Sequence, residues 1–544
     1  MKLKKDSTEQ KLRGAYYTPS QLADAMVAIL GMENVGHILE PSCGDGVFLE
    51  SIATSGILPR AKSITAIEID SSEVKKAHER FCNYPNVNVL CDDFFSFYER
   101  SHDNDRYDLI IGNPPYIRYQ YLSETQRELQ SMILTTHSMK SNKLINSWVC
   151  FLVACIHMLA EGGRIAFVIP AEILQVAYAE DLRLFLSKQL SSITLITFER
   201  LIFPEIEQEI VVFIGEKGAD EKGIRIIEMN DLDCFKTLNL ESNGYQKLQH
   251  VREKWTKYFI SADETALIQA LREDKRFVRF KDYGIINVGI TTGNNDYFSV
   301  TREVEREYKL GSVTLPLIGR SSHTHGIYFT ESDWMANVSS DKKAKLISFQ
   351  EIPIDEYPQK HREYIALGET EGQNTGYKCG IRDRWYIVPS VWVPDAFFLR
   401  RNNLYPKFVL NRCGAVSTDT MHRMKFYDGV NAENVLLAYY NSVSFAFTEI
   451  CGRSYGGGVL EILPGEMGNI LLPIINGINT ALRDDLLSKI DDIIRNGYDV
   501  ELALDLVDKK LLVDIIGVET EICRQCRVIW KKLQRRRLRR SGNN

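Results

Sequence analysis

Two adjacent prolines directly after an apolar run constrain the fold of this chain more than any other feature. The run Tyr107–Gly112 is typical of a buried strand, and residues 113–116 read Asn-Pro-Pro-Tyr. Because neither proline can donate a ladder hydrogen bond, the chain must leave the sheet in a stiff turn. Open α/β sheets bind ligands where parallel strands end. A turn with a fixed Asn113 carbonyl, an amide acceptor and the aromatic face of Tyr116 suits a flat group bearing an amino group, such as a nucleobase edge.

Strand-like and helical patterns alternate through the first 215 residues. Helical patterns, such as those at 71–81 and 146–159, lie between seven apolar runs. The runs predicted as strands are 37–40, 63–67, 86–91, 107–112, 164–169, 192–198 and 209–215. This order predicts an α/β domain with a mostly parallel, seven-stranded sheet and helices on both faces.

The length of 544 residues predicts more than one domain. We expect an α/β domain over 1–220 and a polar linker over 221–250. After the linker, we expect a mixed α/β domain over 251–478. We expect the last part, 479–544, to be a helical segment with a basic end.

Charge is distributed unevenly along a chain whose net charge is −6. Residues 1–250 hold 25 Lys+Arg against 34 Asp+Glu, and residues 251–544 hold 41 against 38. The second half is therefore the part that can face a polyanion. The basic stretch 531–540 fits a solvated helix end as well as it fits a phosphate contact.

Composition excludes several classes of protein. The hydrophobic fraction of 44% and the charged fraction of 25% are typical of globular proteins. No apolar stretch follows the basic start and no run approaches a membrane span, so we expect a cytoplasmic protein without membrane contact. Eleven scattered cysteines do not form a disulfide framework. The lone pair Cys523 and Cys526 does not make a metal site.

The first predicted strand runs into a turn that suits a cationic ligand. Glycines at 44 and 46 let the backbone approach a bound molecule, but their spacing is not the dinucleotide fingerprint. Glu40 in the same turn would repel a pyrophosphate and attract a cation such as a sulfonium amino acid.

Acidic residues also end the next two predicted strands. Glu68, followed by Ile69, is placed to accept both hydroxyls of a ribose. Asp93 can accept from an adenine amino group, and Phe94 can pack on the ring. Each acid alone fits a surface or helix-cap residue. Together, at successive strand ends, they predict a nucleoside site.

These motifs, in this order, resemble those of the γ-group N6-adenine DNA methyltransferases of restriction–modification systems, the Taq-type family. The stretch Gly-Ala-Tyr-Tyr-Thr-Pro at 14–19 resembles the family motif that closes over the methionine part of S-adenosylmethionine. Within it, Thr18 is a candidate helix N-cap and Pro19 suits the first helical position. Residues 202–205, Ile-Phe-Pro-Glu, resemble the segment whose aromatic residue stacks on an extruded adenine.

The resemblance spans nearly the whole chain and is strongest over 14–215. Stretches of the second half resemble parts of the family's recognition domain; they are 288–298, 417–423 and 456–464. Cys43 departs from the pattern of the first glycine loop, but that loop works through its backbone. The implied fold is a Rossmann-like S-adenosylmethionine-dependent methyltransferase domain followed by a carboxy-terminal mixed α/β recognition domain for the DNA target.

The resemblance implies a role for thirteen residues. Those implied for the cofactor are Tyr17, Thr18, Glu40, Ser42, Gly44, Glu68, Ile69, Asp93 and Phe94. Those implied for catalysis are Asn113, Pro114, Tyr116 and Phe203. The target adenine would leave the duplex, stack between Tyr116 and Phe203, and donate its amino hydrogens to the Asn113 side chain and the Pro114 carbonyl. Transfer from S-adenosylmethionine would be direct, and no metal is required.

The resemblance also implies a biological setting. We expect a bacterial, monomeric enzyme that acts on double-stranded DNA and protects it from a separate cognate restriction endonuclease. Because the leading motif begins at Gly14, we expect no nuclease domain before it.

Three other interpretations remain open. A cytosine-N4 methyltransferase shares the chemistry, although serine usually replaces the first asparagine of its tetrapeptide. A protein-glutamine methyltransferase has a planar amide substrate, but such chains are about half this length and lack a recognition domain. A non-catalytic DNA specificity module would not need Glu40, Glu68 and Asp93.

Overall fold

The computed structural model describes residues 18–31, 35–143, 145–199, 202, 209–235, 238, 244–247 and 254–539. The chain forms two compact units, Met1–Ala262 and Asp263–Asn544.

One eight-stranded sheet organises the first unit. Its strands are β1 His37–Glu40, β2 Ser63–Glu68, β3 Val87–Cys91, β4 Tyr107–Gly112, β5 Leu159–Pro170, β6 Ser192–Phe198, β7 Ile210–Glu216 and β8 Gly223–Met229. Their order is β3-β2-β1-β4-β5-β7-β6-β8, and only β7 runs antiparallel to its neighbours. Strands form at all seven predicted runs.

The eighth strand, β8, corrects the sequence prediction. It pairs in parallel with β6 over seven residues, so Gly223–Met229 belongs to the sheet and not to a linker over 221–250. The boundary between the units lies at Ala262, beyond the predicted linker.

Helices of the first unit flank the sheet and supply its core. They are α1 Ser20–Leu30, α2 Val47–Thr54, α3 Ser71–Phe81, α4 Phe94–Ser101, α5 Glu124–Thr136, α6 Ser147–His157, α7 Glu180–Gln189 and α8 Leu232–Phe235. Every residue of β6 is buried, and α6 is buried along almost its whole length. A strand that is covered on both faces needs a continuous apolar run, which explains why β6 was recognisable in the sequence.

The second unit is mixed α/β. Its strands are β9 Phe277–Arg279, β10 Gly284–Val288, β11 Ser299–Val300, β12 Thr314–Ile318, β13 Tyr328–Phe329, β14 Lys345–Ile347, β15 Ala396–Leu399, β16 Arg401–Asn402, β17 Phe408–Asn411, β18 Val416–Ser417, β19 Met421–Phe426, β20 Arg453–Tyr455, β21 Val459–Glu461 and β22 Leu471–Pro473. A five-stranded sheet has the order β10-β19-β15-β17-β13, beside smaller sheets of four, three and two strands.

Twelve α-helices accompany these sheets in the described part. They are α9 Ala262–Glu273, α10 Asn295–Phe298, α11 Arg302–Glu307, α12 Glu331–Ser339, α13 Gln359–Thr370, α14 Tyr377–Gly380, α15 Ala432–Tyr439, α16 Ser442–Cys451, α17 Pro464–Met467, α18 Thr480–Arg495, α19 Val500–Val507 and α20 Thr520–Arg539.

The carboxy-terminal helices are an integral part of the second unit. Arg495 at the end of α18 donates to the carboxylate of Asp333 in α12. Arg537 in α20 is 1% exposed and pairs with the carboxylate of Glu449 in α16. The basic stretch through residue 539 is therefore helical and is anchored at Arg537, because a buried guanidinium must be paired. Lys532, Arg535 and Arg539 remain exposed. Among the helices of the described ranges, none has both the length and the apolar character of a membrane span.

Candidate active site

Three predicted functional residues end neighbouring strands at one edge of the first sheet. Strand β1 pairs in parallel with both β2 and β4, so Glu68, Glu40 and Asn113 follow one another in that order along the carboxyl edge. That edge is where open α/β sheets hold ligands.

The first glycine loop connects β1 to α2 in a conformation that needs glycine. Gly44 has φ +54° and Gly46 has φ +91°. A Cβ at Gly46 would also lie 2.8 Å from Cε2 of Phe81. The loop is therefore fixed by both backbone conformation and close packing.

Glu40 is a buried acid without a partner. Its side chain is fully buried, and neither carboxylate oxygen has a hydrogen-bond partner within the described structure. Burial raises the pKa of Glu40 well above its ordinary value, and the nearby carboxylates of Glu68 and Asp45 raise it further. An unpaired buried carboxyl group costs stability, so this arrangement suits a site that awaits a cationic group.

Glu68 organises the loop and keeps acceptor capacity. Its Oε2 accepts from the Gly44 backbone N–H at 3.0 Å, and its Oε1 accepts from the Asp70 N–H at 2.9 Å. A carboxylate has about four acceptor sites, so both oxygens can still accept from ribose hydroxyls. The side chain of the next residue, Ile69, is 62% exposed at the same edge.

Asp93 has the helix-cap role that the sequence offered as an alternative, and both Asp93 and Phe94 have further partners that the sequence did not reveal. Oδ1 of Asp93 caps α4 by accepting from the N–H groups of Phe95 and Ser96, and Oδ2 accepts from Gln126 Nε2 at 2.8 Å. Phe94 is 3% exposed, and its ring stacks on Phe151 with centroids 4.7 Å apart. Little of that ring is available to a ligand, whereas Asp93 is held in a fixed orientation.

The turn after β4 holds the side chain of Asn113 in a hydrogen-bonded network. Its Nδ2 donates to the Thr18 hydroxyl at 3.1 Å, and its Oδ1 accepts from the Tyr116 hydroxyl at 3.0 Å. Its backbone carbonyl accepts from the Ser42 hydroxyl at 3.2 Å. The catalytic candidate is thus contacted by the loops that follow β1 and precede α1.

Tyr116 is largely buried, and its hydroxyl lies inside the site. Besides Asn113, the hydroxyl approaches the Val168 carbonyl of β5 at 3.1 Å. The Tyr116 side chain therefore has a polar role beside its proposed stacking role, which the sequence alone did not indicate.

Ser147 is a further residue of the site that sequence reasoning missed. It is the buried first residue of α6, and its hydroxyl donates to the Pro115 carbonyl at 2.6 Å. The same hydroxyl accepts from the Ile117 N–H at 3.0 Å. Ser147 thereby holds the turn on both sides of Tyr116. A serine at the start of an otherwise apolar helix was the only signal for it.

The structure corrects the role predicted for Thr18. Helix α1 has Pro19 as its N-cap residue and makes no side-chain cap, so Thr18 is not the cap. The Pro19 ψ of 135° delays the helix by one residue, and its carbonyl accepts from the N–H groups of Leu22 and Ala23. The Thr18 hydroxyl contacts Asn113 instead. The predicted residues Tyr17 and Phe203 lie outside the described residues.

With the cofactor site that the resemblance implies, Glu68→Ala is expected to weaken S-adenosylmethionine binding by about 1–3 kcal/mol. The change would remove the acceptors predicted for the ribose and the observed bond from the Gly44 N–H. Isothermal titration of the variant against the unchanged protein measures this. Glu79→Ala, an exposed change in α3, is the control. Equal affinity in all three proteins would show that Glu68 does not bind the nucleoside.

Comparisons with known proteins match both parts of the chain. Residues 54–203 match the family model of the Eco57I restriction-modification methylase, and residues 252–512 match that of the Type II methyltransferase M.Eco57I, C-terminal domain. Type II methyltransferase M.AccI of Acinetobacter calcoaceticus is 25% identical over 501 residues, 87% of each chain. M.HincII of Haemophilus influenzae is 31% identical over 241 residues, 44% of each chain.

A solved structure shares the fold. The Type IIL restriction-modification enzyme MmeI, solved in complex with DNA, superimposes with a TM-score of 0.51 at 12% identity. The match covers 96% of this chain and 72% of that one. At this identity the likeness concerns the fold alone.

Proposed function

We propose, for a chain that belongs to the Eco57I-type restriction–modification methylases, that it methylates the N6 amino group of adenine in double-stranded DNA. S-adenosylmethionine is the proposed methyl donor. The observation that carries the proposal is the amide of Asn113, which is held between Thr18 and Tyr116 after β4, while the neighbouring strand β1 ends in the unpaired carboxyl group of Glu40.

The residues at the strand ends fit S-adenosylmethionine. The cofactor combines cationic groups with a ribose, and the site offers a buried acid without a partner and a second acid with free acceptor capacity. Glu40 would face the charged part, and Glu68 would hold the ribose hydroxyls. Gly44, Ser42, Ile69 and Asp93 would complete the binding site, with Tyr17 as a further predicted contact. Phe94 would support the site from below, because its ring packs on Phe151. When bound, the cofactor supplies an activated methyl group.

The chain's own residues position the amino group of the base. The Asn113 Oδ1 and the Pro114 carbonyl accept its two hydrogens, which draws N6 out of conjugation and directs its lone pair. Extruding the base costs about a few kcal/mol. Stacking on Tyr116 and Phe203 offsets that cost by about 1–3 kcal/mol per base. Positioning and fixed dipoles then account for most of the rate enhancement. Within the described residues, no cluster of His, Cys, Asp and Glu is arranged to hold a metal ion.

The identity of residue 113 favours adenine over cytosine. Serine usually occupies the first position in enzymes that methylate cytosine N4, and this chain has asparagine. A second unit of 282 residues argues against a protein-glutamine methyltransferase. Transfer of a tritiated methyl group from the cofactor to duplex DNA, to a glutamine-containing protein, or to neither separates the classes of enzyme. Hydrolysis of the labelled DNA then shows whether adenine or cytosine carries the label. Label in protein alone would contradict the proposal.

Binding to duplex DNA is expected to weaken steeply with salt. Each phosphate contact contributes about −0.9 to the slope of log affinity against log salt, and several contacts would lower affinity about a thousandfold or more between about 50 and 200 mM salt. Fluorescence anisotropy of a labelled duplex measures the slope. A flat salt dependence would exclude phosphate contacts as the main source of affinity.

Sequence specificity is proposed to lie in residues 251–544, through polar and Arg side chains in the major groove. Exchanging this part for that of a relative should exchange the methylated sequence. The proposed biological role is protection of host DNA from a separate cognate restriction endonuclease. The proposed enzyme is a monomer and acts in the bacterial cytoplasm.

A further inference from the structure

The segment that follows the turn after β4 carries an exposed arginine with an unpaired side chain. Arg118 lies two residues after Tyr116, and its side chain is exposed. Within the described residues, its guanidinium group makes no hydrogen bond and no ion pair. A cation that no acid of the same unit neutralises is available to an anionic ligand.

The backbone around Arg118 is fixed from both sides. Before it, the Ser147 hydroxyl accepts from the Ile117 N–H at 3.0 Å, and the Ser147 N–H donates to the Ile117 carbonyl at 3.0 Å. After it, the Arg127 Nε donates to the Tyr119 carbonyl at 3.1 Å, and the Arg127 guanidinium lies 5.1 Å from the centre of the Tyr119 ring. Arg127 therefore has a structural role, whereas Arg118 is held in place and its charge stays unused.

Arg118 lies on the same face of this segment as Tyr116. Its backbone is extended, with φ −75° and ψ 145°, and forms an antiparallel bridge with Asn146. In extended backbone, side chains two residues apart share a face. Tyr116 is buried, with its hydroxyl 3.0 Å from Oδ1 of Asn113. On this face the segment thus leads from the site at Asn113 to the exposed guanidinium of Arg118.

An extruded nucleotide would bring phosphates to this position. A base is flipped by rotation about its backbone, so the base enters the site while the flanking phosphates stay at its entrance. A guanidinium group offers a planar fork of N–H donors that matches a phosphate. The local charge has the right sign as well. Residues 117–146 hold four Lys+Arg against two Asp+Glu, whereas residues 1–250 as a whole hold 25 against 34.

We propose that Arg118 binds a backbone phosphate that flanks the target nucleotide. Phosphate contacts fix the position of the DNA and carry no sequence information. Arg118 therefore holds the target strand where its base enters the site, and the first unit makes a DNA contact of its own beside those proposed for residues 251–544. This inference rests on the proposed function and names the part of the DNA that the entrance of the site recognises.

The test neutralises one phosphate at a time. Duplexes with the methylated sequence carry a single uncharged methylphosphonate at one of the two phosphates on either side of the target nucleotide. Fluorescence anisotropy without cofactor measures their affinity for the full-length protein, for Arg118→Gln and for Arg118→Lys. The matched control is Arg106→Gln, which removes an exposed arginine directly before β4, at the opposite end of that strand. Calorimetry with S-adenosylmethionine reports whether each variant keeps its cofactor site.

On the unmodified duplex, Arg118→Gln should bind about tenfold more weakly, the effect of one charge-assisted hydrogen bond. The slope of log affinity against log salt should become less steep by about 0.9. Arg118→Lys should keep the slope, and cofactor affinity should stay unchanged in every variant. One methylphosphonate should weaken the unchanged protein and Arg106→Gln about tenfold, and should cause no further loss in Arg118→Gln.

Two results would overturn the inference while the proposed function stands. One is a methylphosphonate series that weakens Arg118→Gln as much as the unchanged protein at every flanking position. The other is a salt slope that Arg118→Gln leaves unaltered. An unchanged protein that neither binds nor methylates duplex DNA would overturn the proposed function, and the role of Arg118 would fall with it.

Discussion

Replacing Asn113 by alanine is expected to reduce the rate of methyl transfer by about a hundred- to a thousandfold or more, while cofactor affinity stays nearly unchanged. The reason is that the Asn113 oxygen acts on the target nitrogen in the transition state, where the loss of one fixed dipole costs about 10²–10³ in rate. Single-turnover methylation under saturating cofactor measures the rate, and titration with sinefungin, a non-reactive analogue of S-adenosylmethionine, measures the affinity. Asn113→Asp should be less damaging, because a carboxylate still offers an acceptor.

The control for Asn113→Ala is Asn104→Ala, an exposed change in the same unit. It should leave the rate unchanged. A rate for Asn113→Ala within about threefold of the unchanged protein would remove Asn113 from the catalytic machinery. A large loss of cofactor affinity in that variant would instead make Asn113 part of the cofactor site.

Glu40→Gln is expected to weaken S-adenosylmethionine binding strongly and to stabilise the free protein. A buried carboxyl group without a partner costs about 1–3 kcal/mol, and a cationic ligand is what would offset that cost. We therefore expect affinity to fall about ten- to a hundredfold, while the midpoint of thermal unfolding without ligand rises. Calorimetry and thermal unfolding measure the two effects. Glu79→Gln, an exposed change, should alter neither.

The pH dependence of the unfolding midpoint gives a second test of the Glu40→Gln prediction. The pKa of Glu40 is raised in the folded protein, so the folded state holds a proton that the unfolded state releases. The contribution of this group to stability is fully present below the unfolded pKa and is lost as pH rises toward the folded pKa. The advantage of Glu40→Gln in unfolding midpoint should therefore be larger at pH 8 than at pH 5. An advantage that shrinks over that range would mean that Glu40 is paired.

Central strands of the main sheet were predictable because they are buried on both faces. Continuous apolar runs such as Tyr107–Gly112 and Ser192–Phe198 have few alternatives to a central strand. Strand β8, Gly223–Met229, was missed although most of it is buried. It lies at the edge of the sheet, carries Arg225 and Glu228, and follows a polar turn, which is the pattern of a linker. The elements of the second unit include short strands whose pairing partners are distant in sequence. No local sequence pattern predicts these pairings.

The candidate site also has one part that the sequence predicts and another part that depends on the folded structure. Acids at strand ends are visible in the sequence, because the fold brings the carboxyl ends of parallel strands to one edge. The contacts of Asn113 with Thr18, and of Ser147 with the turn around Tyr116, join residues far apart in the chain. Asp93 illustrates the limit: its position and a local helix-cap role were foreseen, but its bond to Gln126 depends on how the helices pack.

Nucleoside analysis of DNA from a host that expresses the chain tests the central claim most directly. The host should lack adenine and cytosine methylases of its own, and long-read sequencing should locate the modified site. We expect N6-methyladenine at one short sequence in cells with the unchanged protein, and none in cells with Asn113→Ala at equal protein levels. N4-methylcytosine in place of N6-methyladenine, or unmodified DNA together with methylated protein, would contradict the account.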